Sequence, residues 1–383
     1  MAHKGINNSM NTNNAVLHIC LSDGWGGLEM YPIRTGKALL EQNWQVLGLC
    51  LKGTRVAQGM KEAGMSIFEI DSKWDLFKKI TTVHAWLKEH NTKLIHAHKS
   101  GDLVFAALLD TIASYRIIFT EHMGVTRPKK DLYHKWVYSH VDQILSISDE
   151  TKARNLKALP VPADKIQRLW LGTEITPPIT DTQLISNIRQ ELSIPPDAKV
   201  IGTLGRIGSG KGQLELLEAF IQLKANGEHP DVHLLIVGGL SKDEGSNEDV
   251  VQKLQSLTKQ HQLEEFVHFS GFRRDTKNML ATMDIVAILS HNEAFGLTVI
   301  EAMAAGKLIL GSNTGAIPEI LGEGYPFTVN PHSSTDIASQ FKAMTIEPNQ
   351  YEDYLLARAT KHFSLKQHQY ALCNIYRHSG IRK

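Results

Sequence analysis

Two glutamates, Glu293 and Glu301, flank a short loop whose residue types could bind a ligand that carries both phosphate and hydroxyl groups. The apolar run 284–289 before the loop has the length and composition of a buried parallel strand. Residues 297–305 after it show a helical pattern. The loop 292–296 therefore lies between the end of a strand and the start of a helix, which is where open α/β sheets bind ligands.

The loop predicts an anion site between two carboxylates. Gly296 lets a ligand come close to the backbone, and the N–H groups of Phe295, Gly296 and Leu297 are free to bind an anion at a helix start. Because carboxylates repel phosphate, we expect Glu293 and Glu301 to hold neutral hydroxyl groups beside it. Phosphate donors in the middle and hydroxyl acceptors at both ends suit a nucleotide sugar.

Composition restricts the class of protein. The 383 residues suffice for two α/β domains, and 41 Lys+Arg against 40 Asp+Glu argue against a dedicated nucleic-acid binder. The three cysteines lack metal-ligand spacing, which indicates a reducing compartment. The sequence contains neither a signal peptide pattern nor an apolar run of the roughly 18 residues that span a bilayer. These features predict a cytoplasmic protein.

Two glycine-rich loops follow predicted strands. In the first, Gly26 and Gly27 occur without the Gly-x-Gly-x-x-Gly spacing of a dinucleotide site, which argues against a nicotinamide enzyme. The second runs from Gly205 and fits the start of a phosphate-binding P-loop as far as Lys211. However, Gly212 stands where coordination of Mg²⁺ requires Ser or Thr.

These segments together resemble the retaining GT-B glycosyltransferases, a family 4-like group that includes glycogen synthase, sucrose synthase and many bacterial lipopolysaccharide and mannosyl transferases. The resemblance rests on Glu-x7-Glu from Glu293 with its interior Phe-Gly, on Gly-Arg-x(n)-Lys-Gly from Gly205, and on Gly-Gly-x-Glu from Gly26. It is strong over residues 200–320 and looser before them.

The resemblance assigns roles to individual residues. It implies that Arg206 and Lys211 meet the leaving diphosphate, so that neither a metal nor another cofactor is required. It places Glu293 on the donor sugar, Glu301 on the ribose, and His122 near the donor sugar and the acceptor. The other donor-binding residues that it implies are Gly26, Gly27, Gly205, Phe272, Arg273, Ala294, Phe295, Gly296 and Leu297.

The alternation of strands and helices predicts parallel Rossmann-like sheets, and the resemblance implies two such domains facing a central cleft. After a mobile leader over residues 1–14, we expect an acceptor-side domain over 15–174. A donor-binding domain follows over 175–363, beginning at a proline-containing linker. The last helix, within 364–383, is expected to cross back onto the first domain.

The implied function is the transfer of a hexosyl group, with retention of configuration, from a nucleotide-diphosphate sugar to a glycan or glycolipid. Family frequency puts a UDP-sugar first and a GDP-sugar second, and a lipopolysaccharide core is the expected acceptor. Three alternatives stay open: a nucleotide-sugar epimerase of the same architecture, a P-loop ATPase, and a non-catalytic binder of sugar nucleotides.

The segment 127–138 mixes four cations with three aromatic residues on a predicted helix. One interpretation is a solvated face with its aromatic rings packed inward. The other is a helix that lies on the anionic inner face of the cytoplasmic membrane. The candidates for lipid contact are Arg127, Lys129, Lys130, Lys135 and Trp136.

Overall fold

The computed structural model describes residues 14–227, 231–346 and 350–378. The predicted leader lies outside these residues apart from Asn14. The chain divides into two compact units. Unit 1 takes its described residues from Met1–Ile147, Thr151–Leu169 and Gln369–Lys383, and unit 2 from Ser148–Glu150 and Trp170–His368. The division at residue 170 lies a few residues before the predicted linker.

Unit 1 is built on one parallel sheet. Its strands are β1 (Ala15–Cys20), β2 (Gln45–Leu51), β3 (Ser66–Ile70), β4 (Leu94–Ala97), β5 (Arg116–Glu121), β6 (Gln143–Ser146) and β7 (Ile166–Arg168). Among the described residues they take the order β3-β2-β1-β4-β5-β6-β7, and every neighbouring pair is parallel. All six residues of β1 are buried, as expected for a strand covered on both faces.

The helices of unit 1 connect these strands. They are α1 (Gly27–Leu40), α2 (Arg55–Glu62), α3 (Lys73–Glu89), α4 (Leu103–Ile112), α5 (Leu132–Ser139) and α6 (Asp149–Ala158), with short 3₁₀ turns at Ser100–Asp102 and Ala163–Lys165. The sequence predicts a turn through Glu29 and a helix from Tyr31, but α1 begins at Gly27. An acidic residue in the first turn stabilises the positive helix end, so Glu29 favours the earlier start.

Helix α5 is shorter than predicted. The predicted helix covers residues 127–138, whereas α5 begins at Leu132. The side chain of Asp131 accepts a hydrogen bond from the His134 N–H (3.1 Å) and caps the helix there. Pro128 precedes this cap, and residues 127–130 form an irregular segment.

Unit 2 contains a second parallel sheet. Its strands are β8 (Lys199–Leu204), β9 (Val232–Val237), β10 (Val267–Gly271), β11 (Ile285–Ile288), β12 (Leu308–Ser312) and β13 (Thr328–Val329). Over the described ranges the order is β10-β9-β8-β11-β12-β13, again with parallel neighbours. The prediction of two parallel, Rossmann-like sheets is therefore confirmed.

The remaining helices follow these strands. They are α7 (Thr182–Glu191), α8 (Gln213–Ala225), α9 (Glu248–Gln260), α10 (Thr276–Ala281), α11 (Leu297–Ala304), α12 (Ile317–Leu321), α13 (Ser334–Ile346), α14 (Gln350–Phe363) and α15 (Leu365–His378). Helix α15 begins in unit 2 and ends in unit 1. In the described ranges we find no helix with the length and apolar character that crossing a bilayer requires.

The strand order reverses once in each sheet, between β1 and β4 and between β8 and β11. Parallel sheets bind ligands beyond the carboxyl ends of the strands at such a reversal. In unit 2, Asp284 joins β11 to β8, because its carboxylate accepts the Val200 N–H (2.7 Å) and lies 3.3 Å from the Arg189 guanidinium. Asp284 therefore fixes the strands from which the predicted donor site is built.

Candidate functional site

Six predicted site residues line one cavity in unit 2, and three of them are charged. Arg206 and Lys211 follow β8, and Glu293 follows β11, at the reversal of strand order. The cavity has a volume of about 270 Å³. Its lining residues are Thr203, Leu204, Gly205, Arg206, Lys211, Gln213, Ile288, Ser290, Glu293, Gly296, Leu297 and Thr298.

Lys211 and Glu293 form an ion pair within this cavity. The Nζ atom of Lys211 lies 2.9 Å from Oε2 of Glu293, and both side chains are partly exposed. The resemblance gives the lysine to the diphosphate and the glutamate to the sugar. The structure brings the two groups into direct contact, so a phosphate that approaches the lysine competes with the carboxylate.

Two glycines bring the loops together. Gly212 has φ +80°, and a Cβ atom there would lie 2.3 Å from the carbonyl oxygen of Leu289. At Gly315, with φ +64°, a Cβ atom would lie 2.6 Å from the carbonyl oxygen of Glu293. The same Glu293 carbonyl accepts the Ala316 N–H (2.9 Å). A side chain at Gly212 would push apart the segments that carry Lys211 and Glu293, and one at Gly315 would push Glu293 away from the loop after β12.

Two helices begin at this cavity. Helix α8 follows Gly212 directly, and α11 follows Gly296, with Leu297 and Thr298 on the cavity wall. Helix N-termini carry partial positive charge and unpaired N–H groups, so they favour an anion. With Arg206 and Lys211, they give the cavity the groups that bind a diphosphate.

Ala294 and Phe295 support the loop from inside unit 2. The carbonyl of Ala294 accepts a hydrogen bond from the Ser148 hydroxyl (2.8 Å). The Phe295 side chain is buried, and its ring centroid lies 6.1 Å from that of Phe363. The Phe295 side chain and the Ala294 carbonyl therefore hold the loop in place, so the backbone N–H groups of these two residues are the groups that can contact the donor.

A second cavity, of about 500 Å³, also has Arg206 and Lys211 in its wall. Its other lining residues are Ile207, Gly208, Ser209, Lys242, Gly245, Ser246, Asn247, Glu248 and Asp249. The Ser246 hydroxyl accepts the Ile207 N–H (3.1 Å), which ties the two lining segments together. Lys242 is not among the residues predicted from the sequence, and the glycine pair after β9 is the signal that points to this loop.

Besides Ala294 and Phe295, three predicted donor contacts of unit 2 lie outside the first cavity. Glu301 is on the second turn of α11, beyond the lining residues. Phe272 follows β10 and is 55% exposed. Arg273 binds Asp275 through two hydrogen bonds of 2.8 Å and also pairs with Glu191, and these bonds raise the pKa of its guanidinium. The Arg273 side chain therefore has a structural role here.

The predicted residues of unit 1 lie at its own sheet end. His122 follows β5 and is buried, with its ring centroid 4.9 Å from that of Tyr31. Gly26 caps α1, and Gly27 is the first residue of that helix. A Cβ atom at Gly26 would lie 3.4 Å from the Glu29 carboxylate.

Polar residues not predicted from the sequence surround the end of β1. The Ser22 hydroxyl donates to Glu29 Oε1 (2.7 Å), and Lys99 Nζ donates to that hydroxyl (2.9 Å). Nearby, Asp102 is buried and accepts hydrogen bonds from the Leu21 N–H and from a lysine. Burial raises the pKa of the Asp102 carboxyl. The Lys-Ser-Gly run at 99–101, one residue after the end of β4, is the signal that locates this cluster.

The residues proposed for lipid contact fall into two groups. Arg127, Lys130, Lys135 and Trp136 are exposed. Lys129 is an exception, because its Nζ lies 3.4 Å from the Tyr138 hydroxyl and burial lowers its pKa.

Comparisons with known proteins agree with this description. Residues 25–175 match the model of Glycosyltransferase Family 4, and residues 185–359 match that of Glycosyl transferases group 1. The crystal structure of a glycosyltransferase from Rickettsia africae superposes with a TM-score of 0.85 at 20% identity, covering 96% of this chain and 99% of that one. Anabaena HepE in complex with UDP-glucose gives a TM-score of 0.75 at 22% identity, covering 94% and 99%.

Curated relatives match over shorter segments. A D-inositol 3-phosphate glycosyltransferase of Corynebacterium jeikeium is 32% identical over 162 residues, which are 42% of this chain and 38% of the relative. A lipopolysaccharide 1,2-N-acetylglucosaminetransferase of Salmonella typhimurium is 33% identical over 140 residues, 36% of each chain. Each match spans well under half of the relative's own length. By its two family domains and its two parallel sheets, the chain is a GT-B protein with family 4 and group 1 glycosyltransferase domains.

Proposed function

We propose that this protein is a retaining glycosyltransferase that moves a hexosyl group from a nucleotide-diphosphate sugar to a glycan or glycolipid. The observation that carries the proposal is the meeting of Arg206, Lys211 and Glu293 around one cavity at the β8/β11 reversal. Two cations and two helix N-termini fit the diphosphate, and the carboxylate fits the hydroxyl groups of the sugar.

In this proposal the bound donor replaces the ion pair between Lys211 and Glu293. The diphosphate takes Lys211 from Glu293, and the released carboxylate accepts hydrogen bonds from the sugar hydroxyls. As the bond from the anomeric carbon to the phosphate oxygen breaks, negative charge grows on that oxygen. Arg206 and Lys211 offset this charge without a metal ion. The leaving phosphate oxygen takes the proton of the acceptor hydroxyl, which attacks on the same face of the sugar, so configuration is retained.

The donor base and the acceptor are proposed by similarity. The solved complex of HepE contains UDP-glucose, which supports a UDP-sugar as the first choice and leaves a GDP-sugar second. The Salmonella relative is named for a lipopolysaccharide substrate, which supports a lipopolysaccharide core as acceptor. Glu301 would hold the ribose, and the exposed Phe272 would border the base.

We also propose that unit 1 contacts the inner face of the cytoplasmic membrane through α5 and the segment before it. Leu132 is 84% exposed, and Tyr133 and Trp136 are exposed beside it. Lys130 and Lys135 provide exposed cations among these apolar groups. Exposed aromatic rings with interspersed lysines fit a lipid head-group layer better than a solvated face.

One screen tests the proposed reaction. The protein is incubated with a panel of UDP- and GDP-sugars, with and without lipopolysaccharide core oligosaccharide, and the products are identified by mass spectrometry. The proposal expects a nucleotide diphosphate and an acceptor heavier by one hexosyl residue, both formed only when acceptor is present. A nucleotide sugar of unchanged mass but shifted chromatographic retention, formed without release of diphosphate, would indicate an epimerase. Hydrolysis of ATP that depends on Mg²⁺ would indicate an ATPase, and binding without turnover a non-catalytic binder.

A further inference from the structure

A cluster of nitrogen and oxygen ligands lies beside the proposed donor site in unit 2. Glu215 stands in the first turn of α8, His291 follows β11, and His332 precedes α13. One ligand atom from each of these residues lies within 4.8 Å of the others. None of the three residues lines either of the two cavities described above.

The contact between Glu215 and His291 is close but is not a hydrogen bond. Nε2 of His291 lies 2.9 Å from Oε1 of Glu215, yet within the described residues this nitrogen has no hydrogen-bond partner. The His291 nitrogen and the Glu215 oxygen are therefore close to each other, but they are not aligned as the donor and the acceptor of a hydrogen bond. Two ligands of one tetrahedral metal ion have a similar relation, because bonds of about 2.0–2.2 Å place neighbouring ligand atoms roughly 3.3–3.6 Å apart, so the pair has to open by about half an ångström around an ion.

The imidazole of His332 is the third candidate ligand of the cluster. The ring centroids of His291 and His332 are 3.9 Å apart. The backbone of His332 is held by a hydrogen bond from its N–H to the Asn330 side chain (3.1 Å), and the residue is exposed. An ion can therefore reach the cluster from the side of His332, whose ligand nitrogen lies within 4.8 Å of the other two ligand atoms.

We infer that Glu215, His291 and His332 bind a divalent transition-metal ion, with Zn²⁺ as the best match. Two imidazoles and one carboxylate form a ligand set that Zn²⁺ takes, with a fourth position left for water. Mg²⁺ and Ca²⁺ prefer oxygen ligands, so two imidazoles disfavour them. The inference concerns ion binding alone and does not depend on the proposed transfer reaction.

The ion would join the two segments that form the proposed donor site. Glu215 lies four residues after Lys211, and His291 lies two residues before Glu293. The His291 N–H already donates to the Gly210 carbonyl (2.9 Å). A bound ion adds a second link between the same loops, and we expect it to raise the thermal stability of the protein.

A second histidine cluster, in unit 1, is less suited to an ion. His18, His96 and His98 also lie within reach of a common ion, but all three are buried. Both ring nitrogens of His96 are in hydrogen bonds with hydroxyl groups, those of Tyr376 (2.6 Å) and Thr120 (2.7 Å). The exposed cluster of unit 2 is therefore the better ion site.

Titration of tag-free protein with Co²⁺, followed by its visible absorption, and competition with Zn²⁺ test the inference. We expect one equivalent to bind and Zn²⁺ to raise the thermal midpoint. His332→Ala and Glu215→Gln should each weaken binding by at least the roughly 10- to 100-fold that loss of an outer-shell partner causes, and should abolish the thermal effect. His332 is exposed, so its variant should remain folded.

His134→Ala is the matched control, because it removes another imidazole that lies against a carboxylate, that of Asp131. It should bind Co²⁺ as the wild type does. Failure of the wild type to bind Co²⁺ or Zn²⁺ saturably would overturn the inference. Equal Co²⁺ affinity in the wild type and His332→Ala would overturn it as well, because the ion would then lie elsewhere.

Discussion

Lys211 and Glu293 are joined by an ion pair of 2.9 Å across 82 residues of sequence. The lysine follows β8 and the glutamate follows β11, so the pair spans the reversal of strand order in unit 2. In the proposed reaction both groups bind the same donor, one at its diphosphate and the other at its sugar. The pair therefore holds both side chains near their working positions before the donor arrives.

The charge of Lys211 should be essential for transfer. We predict that Lys211→Ala lowers turnover by roughly two to three powers of ten, as the loss of one preorganised charge partner typically does. Steady-state kinetics of hexosyl transfer provide the measurement. Lys253→Ala, which removes an exposed lysine of α9, is the control and should have wild-type turnover. Wild-type turnover in Lys211→Ala would contradict the assigned role.

Transfer should not need a metal ion. Arg206 and Lys211 supply the positive charge at the diphosphate, so we predict that activity persists in excess EDTA. The assay compares rates after chelation with rates after addition of Mg²⁺ or Mn²⁺. Removal of an ion from Glu215, His291 and His332 should lower thermal stability and leave transfer active. Complete loss of activity in EDTA that Mg²⁺ restores would contradict this prediction.

Unit 1 should lose stability in mild acid because of His18. Burial lowers the pKa of His18 to about 3, from an ordinary value of 6.5. Between these values the unfolded chain binds a proton that the folded chain does not, so stability falls as the pH drops below 6.5. The expected contribution is about 2 kcal/mol between pH 7.5 and pH 5.

Urea denaturation at both pH values measures this effect. His18→Gln lacks the titrating group and should lose about 2 kcal/mol less than the wild type over the same interval. His261→Gln, at an exposed position, should behave as the wild type does. A loss in His18→Gln equal to that of the wild type would show that His18 does not cause the acid sensitivity.

The proposed membrane surface depends on exposed lysines. Each contributes about 1 kcal/mol near anionic lipid, so replacing Lys130 and Lys135 with Gln should weaken binding to anionic vesicles by roughly 30-fold. Co-sedimentation with vesicles at low salt measures this, and donor affinity should not change. The pair Lys253→Gln and Lys259→Gln on α9 is the control. If the wild-type protein does not bind such vesicles, the membrane proposal is wrong and the segment 127–138 is a solvated face.

The sequence was sufficient to predict most strands and helices, but it was not sufficient to predict which distant side chains contact one another. The strand before Glu293 and the helix after Gly296 follow from apolar period and glycine position, which are local properties. The start of α5 also has a local cause in the Asp131 cap, and the mixed composition of 127–138 obscured it.

Contacts between residues that are distant in the sequence could not be predicted from such local patterns. The Arg273 guanidinium pairs with Glu191, 82 residues away, because packing of unit 2 brings α7 to the end of β10. The prediction that Arg273 binds the donor concerns its backbone and stays a prediction. The contact of Lys211 with Glu293 depends in the same way on the close approach of Gly212 to Leu289. Such relationships arise from tertiary packing, which residue spacing alone does not specify.

Calorimetry on Glu293→Ala and Glu301→Ala tests most directly whether the donor binds in the proposed orientation. The ligands are the nucleotide diphosphate and the corresponding nucleotide sugar, identified in the transfer screen. A charge-assisted hydrogen bond contributes roughly 1.5–3 kcal/mol, so Glu301→Ala should weaken both ligands about 10- to 100-fold. Glu293→Ala should weaken the nucleotide sugar and leave the bare diphosphate bound at least as tightly, because Lys211 is then free of its carboxylate partner. If Glu293→Ala weakens the bare diphosphate as much as Glu301→Ala does, the proposed orientation of the donor is wrong.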